Sequence, residues 1–232
     1  MRMIKPIFGA LALSCAALAA TSGTARAEGS FSGNVALTSD YVFRGLSQTD
    51  GGAAIQGGFD YENGIFYAGV WASNVNFGAS GPSELASMEL DAYAGITPST
   101  GPVDWDLGVI GYFYPNADDE LAGGEFDFFE AKVAAAYEVT PQFEVGAGIY
   151  YSPEFTGETG EAIYAEISAS YAFTDAIAVS GAYGNQDVDA LGDYDTWNIG
   201  ASYAIHGFEL DLRYHDADTA DDIVAFTISR SI

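Results

Sequence analysis

Apolar and polar residues alternate along most of the chain, the period that sends successive side chains to opposite faces of a β-strand. In the first such segment Phe31, Val35, Leu37, Tyr41 and Phe43 share one parity, and Ser32, Asn34, Thr38, Asp40 and Arg44 share the other. The spacing predicts one strand from Phe31 to Arg44, apolar on one side and polar on the other. After a Gly/Ser/Asp-rich break, Ile55, Gly57, Phe59 and Tyr61 alternate with Gln56, Gly58 and Asp60. Glu62-Asn63-Gly64 then supplies the Asn-Gly of a tight hairpin, since both residues tolerate a positive φ. A third strand runs from Ile65 to Val75. The same order of strand, loose loop, strand and tight turn continues through 88–96, 103–113, 129–137, 143–151, 163–173, 177–183, 197–203, 208–215 and 224–232.

These segments make about twelve strands, an even number, joined alternately by short and long connections. The short ones are turns such as Thr97–Pro102, Thr140-Pro141, Thr174-Asp175 and His206-Gly207. The long ones are acidic and Gly-rich, over 115–124, 152–160, 185–193 and 216–221. The pattern predicts an all-β chain, a closed antiparallel up-and-down transmembrane β-barrel with short periplasmic turns and longer acidic extracellular loops. Soluble sandwiches mix their connections and rarely keep so regular an alternation. Closure also removes the unpaired strand edges that lipid does not tolerate. Aromatic residues fall into two groups. Tyr41, Phe43, Phe113, Phe129, Tyr151, Tyr183, Trp197 and Tyr214 lie beside long loops, and Phe59, Tyr61, Trp105, Tyr137, Phe143, Tyr171, Tyr203 and Phe208 beside tight turns. Two interfacial belts account for that distribution.

The stretch TSDYVFRGLSQTD, followed by AIQGGFDYENGIFYAGVWASNV, carries a family resemblance. It is similar to the N-terminal signature of the TorF-type porin family, also known as the Gcw_chp family of proteobacterial outer-membrane proteins. The matching residues are Ser39, Asp40, Tyr41, Arg44, Gly45, Ser47, Gln48, Gln56, Gly57, Gly58, Tyr67, Gly69, Trp71, Ala72, Ser73 and Asn74. The rest of the chain fits that family in its strand-and-loop pattern. The resemblance implies an outer-membrane β-barrel with a pore role and implies no particular substrate.

Arg2 and Lys5, the apolar run Ile7 to Ala20 and the Ala25-Arg26-Ala27 site read as a secretory signal peptide, 1–27, ahead of one barrel domain, 28–232. The run is too short to span a bilayer as a helix. The chain's one cysteine, Cys15, falls in this segment, so 28–232 offers no disulfide or thiol chemistry. Three of the seven basic residues (Arg2, Lys5, Arg26) also lie there, and all 33 acids lie beyond it. Four bases then face 33 acids, a net charge of −29. Such a chain does not bind nucleic acid, whose phosphates demand Lys and Arg. Solubility, loop repulsion or adaptation to salt is the plainest reading of so much negative charge.

The polar parity is the candidate lumen lining: Asp40, Arg44, Gln56, Asp60, Glu89, Asp91, Asp104, Asp106, Glu130, Lys132, Glu144, Glu166, Glu209, Asp211 and Arg213. Acids outnumber bases, so an open, water-filled lumen favours cations. Arg44 and Asp40, four residues apart on one parity, are expected to point the same way near the external mouth. The competing arrangement has Arg44, Lys132 and Arg213 pairing with carboxylates to fill a narrow interior, and a twelve-strand barrel lies between the filled and the wide kinds. The function read from this is an outer-membrane porin-like channel for passive diffusion of small hydrophilic solutes, cation-leaning. Its partners are outer-membrane lipid, the solutes or cations themselves, and the barrel-assembly machinery during biogenesis.

The alternative is a non-conducting structural or adhesive barrel that acts through its loops. An outer-membrane lipid hydrolase is weaker still. The two histidines, His206 and His215, have no serine beside them and no G-x-S-x-G occurs. No catalytic or cofactor-binding residue is assigned. The acidic groups Asp118-Asp119-Glu120, Asp187/Asp189 and Asp216/Asp218/Asp221/Asp222 lack the spacing of a Ca²⁺ loop and read as solvated charge.

Overall fold

A computed structural model describes residues 29–78, 85–115, 117, 118, 120 and 124–232. The predicted signal peptide and Asp119 lie outside them. The strands are β1 (Ser30–Thr38), β2 (Val42–Phe43), β3 (Leu46–Ser47), β4 (Ala54–Asn63), β5 (Phe66–Phe77), β6 (Ala86–Ile96), β7 (Ser99–Thr100) and β8 (Val103–Phe113). They continue as β9 (Phe128–Thr140), β10 (Phe143–Ser152), β11 (Ala162–Ala172), β12 (Ile177–Val188), β13 (Gly192–Ile205), β14 (Phe208–Ala217) and β15 (Ala220–Ser231).

Each long strand pairs antiparallel with its neighbours in sequence, β6 pairs with β8 past the short β7, and β1 pairs with β15. The result is a closed barrel of twelve strands, with β2 and β3 forming a separate two-stranded ribbon. The seam is held by the β1–β15 register, Asn34↔Ser231 to Thr38↔Thr227, and by reciprocal backbone bonds between Gly33 and Ile232.

Alternation is expressed as predicted. One parity, including Phe31, Leu37, Phe59, Val109, Phe129, Ile167, Ile199 and Leu212, is exposed on the outer surface. In water so much apolar surface would be a liability, whereas against lipid it is the fitting solvent contact. Aromatic pairs mark both ends of this band. Phe31–Tyr61 and Tyr171–Phe173 lie at the turn end, and Phe113–Phe129 and Trp197–Tyr214 at the loop end.

Two expectations fail. The first strand stops at Thr38 rather than running to Arg44, and the chain folds inward over 39–53 to make the β2–β3 ribbon. Tyr41 is consequently buried inside the barrel, and Phe43 packs edge-on against the inward Tyr112, so neither belongs to an outer belt. The predicted loops 185–193 and 216–221 are also mostly strand. The ladder continues through Asn185↔Asp195 and Asp187↔Asp193, and β14 runs on to Ala217. Only 189–191 and 218–219 connect these strands, so the long loops belong to the first eight barrel strands, from β1 to β11. Gly/Asp-rich segments read as loops in sequence, yet above the apolar band a strand has no need of outward hydrophobes.

Candidate functional site: an inward hairpin across the barrel

Local side-chain chemistry turns the chain inward after β1. Thr38 Oγ1 donates to Asp40 O at 2.8 Å, and Asp40 Oδ1 accepts from Ser47 Oγ at 2.6 Å and Thr49 Oγ1 at 2.8 Å. Such short polar side chains offer backbone and carboxylate alternatives to the sheet ladder. Gln48 N donates to Tyr41 O, and Asn76 N to Gln48 O, tying the hairpin base to the end of β5. The tip is Arg44-Gly45, at φ 47° and 84°. Two consecutive positive φ values are what a tight two-residue hairpin requires. A Cβ on Gly45 would meet Thr196 Oγ1 at 2.3 Å, so the tip lies hard against β13.

Arg44 is consequently buried in the barrel interior. Its Nη1 donates to Gln186 Oε1 at 2.7 Å and its Nη2 to Glu130 Oε2 at 2.8 Å. The guanidinium lies over the Tyr164 ring at 4.3 Å, with Phe43 at 4.7 Å and Tyr150 at 5.3 Å. Tyr112 adds its hydroxyl to the same Glu130 oxygen at 3.1 Å. The expected partner, Asp40, sits instead at the hairpin base. Equal parity places two residues on one side only while the strand is straight, and here the ribbon's turn separates them.

Nearer the base, Glu89 accepts from Tyr41 at 2.8 Å and from Tyr114 at 2.9 Å. Burial first, then the Glu89 charge, raises both phenols well above their ordinary value, so both act as donors.

At this level inward side chains of all twelve barrel strands are buried, from Thr38 on β1 through Gln56, Ser73, Glu89, Tyr112, Glu130, Tyr150, Tyr164, Gln186, Thr196 and His215 to Ala225 on β15. Toward the turn end the lumen opens. Ser168, Ser170, Ser180, Ser202, Glu209 and Asp211 are partly exposed, and Asp104 fully so. Long side chains here lie flat along the wall in gaps left by glycine. Tyr93 passes over Gly69 to reach Asp60 Oδ1 at 2.5 Å, and a Cβ on Gly200 would meet the Arg213 guanidinium at 2.7 Å.

The other inward bases are paired too. Lys132 meets Asp106 at 2.5 Å, and Tyr67 donates to the second Asp106 oxygen at 2.7 Å. Arg213 bonds Asp211, Asn198 and Ser180. Glu166 accepts from Tyr164, and Asp104 from Ser99. Glu144 stands opposite Glu138 in the β9–β10 register, and Glu209 faces Ser229 across β14–β15. Glu138, Gln186, Tyr41, Tyr112, Tyr150 and Tyr164 join the interior without having been singled out as candidates. Inward parity was available for most of them, but their phenol and amide groups gave no charge signal. His206 occupies the β13–β14 turn and His215 is buried on β14. Among the described residues no group of three or more acids, histidines or cysteines is placed to hold a metal.

The solved KdgM porin is similar to this chain, with a TM-score of 0.59 at 8% identity over 86% of this chain and 97% of that one. The KdgM porin in complex with disordered oligogalacturonate gives 0.59 at 7% identity, over 87% and 96%. The NanC porin gives 0.52 at 7%, over 87% and 98%. At such identities these likenesses show a shared barrel fold. No curated protein matches the chain. A family model described as "Bacterial protein of unknown function (Gcw_chp)" matches residues 22–232.

Proposed function

We propose that this chain, which belongs to the Gcw_chp family of bacterial proteins, is a porin-like channel in the outer membrane of a Gram-negative bacterium. Export through the 1–27 leader, insertion by the barrel-assembly machinery and an outer surface in contact with lipid complete that reading. The channel passes small hydrophilic solutes and prefers cations. One observation carries the preference: the three inward bases, Arg44, Lys132 and Arg213, are each consumed by a carboxylate. The vestibule acids Asp104, Glu138, Glu144 and Glu209 are in none of these pairs, so they set the sign of the field. An oligogalacturonate, an acidic sugar chain, would be repelled by such a lumen.

Reversal potentials under a salt gradient in planar bilayers test this. Cations pass preferentially, the preference weakens as salt screens the field, and Glu144→Gln with Asp104→Asn reduces it. Anion preference in the wild type would overturn it. The filled hairpin level favours a second reading, a non-conducting structural or adhesive barrel, and absence of current at every voltage would establish it. A lipid hydrolase has only His206 and His215 to draw on, in a turn and in the packed wall.

A further inference from the structure

We propose that the inward hairpin 39–53 is a gate whose closed position is latched across the lumen by Arg44. The inference rests on the channel reading above.

The hairpin's polar attachments divide in two. At its base Tyr41 bonds Glu89 on β6, and Gln48 O accepts from Asn76 on β5. At its tip the side-chain bonds to the far wall, Gln186 on β12 and Glu130 on β9, are both made by Arg44. One guanidinium therefore joins a ribbon rooted between β1 and β4 to the opposite side of the barrel. The ribbon's return to β4 passes through Asp50 and Gly51, at φ 53° and 73°, and a Cβ on Gly51 would touch nothing within 4 Å. That corner is open, and a two-residue ribbon turn is stiff. The segment is built to swing as a unit about its base.

Closure also leaves work undone. Arg44 Nε, Gln56 Nε2, Asp60 Oδ2, Asp91 Oδ1 and Asn34 Nδ2 are buried without a hydrogen-bond partner. Four of these atoms lie on β1, β4 and β6, the wall beside the hairpin, and Asp91 shares its strand face with the buried Glu89. A buried polar atom without a protein partner carries the desolvation cost of its group with no protein hydrogen bond in return. Withdrawing the hairpin would let water reach those at its own level, Arg44 Nε, Gln56 Nε2 and Asp91 Oδ1. The closed packing thus pairs both terminal nitrogens of Arg44 but leaves its Nε and the wall atoms without partners, which brings a hydrated open state close in free energy. Opening exposes Glu89, Asp91 and Glu130 to the passage, extending the acidic vestibule toward the loop end.

Residues 28–232 contain no cysteine, so Asp91→Cys supplies a single reporter. In vesicles a small cationic methanethiosulfonate labels it slowly while the latch is intact. Adding Arg44→Ala speeds labelling roughly tenfold or more, as expected for loss of a charge-assisted bond from one of two states. Gln186→Ala, which leaves the ion pair in place, speeds it less and serves should Arg44→Ala fail to fold. Arg230→Ala, on the lipid face, leaves the rate unchanged. In bilayers Arg44→Ala raises the open fraction of single channels. Wild-type current with neither labelling nor open fraction altered by Arg44→Ala or Gln186→Ala overturns the gate and spares the channel. Faster labelling with no current in either protein supports the moving hairpin and overturns the channel.

Discussion

Gly45 shows how narrowly the hairpin tip is specified. Its φ of 84° lies where L-residues are strained, and its Cβ position is 2.3 Å from Thr196 Oγ1. Gly45→Ala should lower stability toward urea by about 1–3 kcal/mol through strain and overpacking together. Thr196→Gly in the same chain relieves the collision but not the φ, so a double-mutant cycle should recover part of the loss. Tyr41→Phe should cost about 1.5–3 kcal/mol, because the buried Glu89 carboxylate loses one of two phenolic donors. Unfolding midpoints check both. The residues of the signature stretch acquire physical roles at this scale. Asp40 and Ser47 close the base, Tyr41 and Gln48 moor it, and Arg44-Gly45 form the tip. Arg44 is interior because the chain turns inward after Thr38, which its parity on a presumed straight strand did not foretell. Its partners Glu130 and Gln186 were not legible either, because they lie 86 and 142 residues away and alternation carries no information across such distances.

At the scale of the strand, the outer apolar parity was read correctly almost throughout, since lipid imposes one rule on every strand that meets it. Ile199, exposed in mid-strand on β13, is a clear test: Ile199→Arg should destabilise by about 2–4 kcal/mol if the bilayer midplane meets it. The readings failed where that rule lapses. Residues 39–44 keep the alternation but serve an inner ribbon, and 185–188 and 192–193, read as loop, keep the ladder. Period-two patterning reports which faces differ, not what either face touches. The difference between rim segments has a consequence for insertions. A short Gly/Ser insert at 218–219, a two-residue connection between β14 and β15, should leave the folded barrel fraction unchanged. The same insert at Arg44-Gly45 should displace the tip from Thr196 and lower the melting temperature.

For the whole molecule, the unbroken circle of backbone hydrogen bonds predicts heat-modifiable migration. Unboiled protein in detergent should run apart from boiled protein, and a Pro at Ala36, which pairs with both Gln56 and Ser229, should abolish the difference. Identical migration of boiled and unboiled wild type would contradict the closed barrel. The number of strands and their up-and-down order were legible because each hairpin is local in sequence. The filled cross-section was not, because it depends on where one segment of the rim chooses to go. The β1–β15 seam bears on how such a barrel can form at all. Thr38 and Thr227 bond across it although 189 residues separate them, whereas most other neighbouring strands meet through turns of a few residues. Joining them carries the largest loop-closure entropy in the fold, and no local nucleus can supply it. The eleven sequential pairings can therefore accumulate as a curled sheet with two free edges, and the final pairing commits the chain all at once. Folding should be slow and limited by that single event, with mutations at Val35 or Ser229 slowing closure more than equivalent changes at the β12–β13 hairpin.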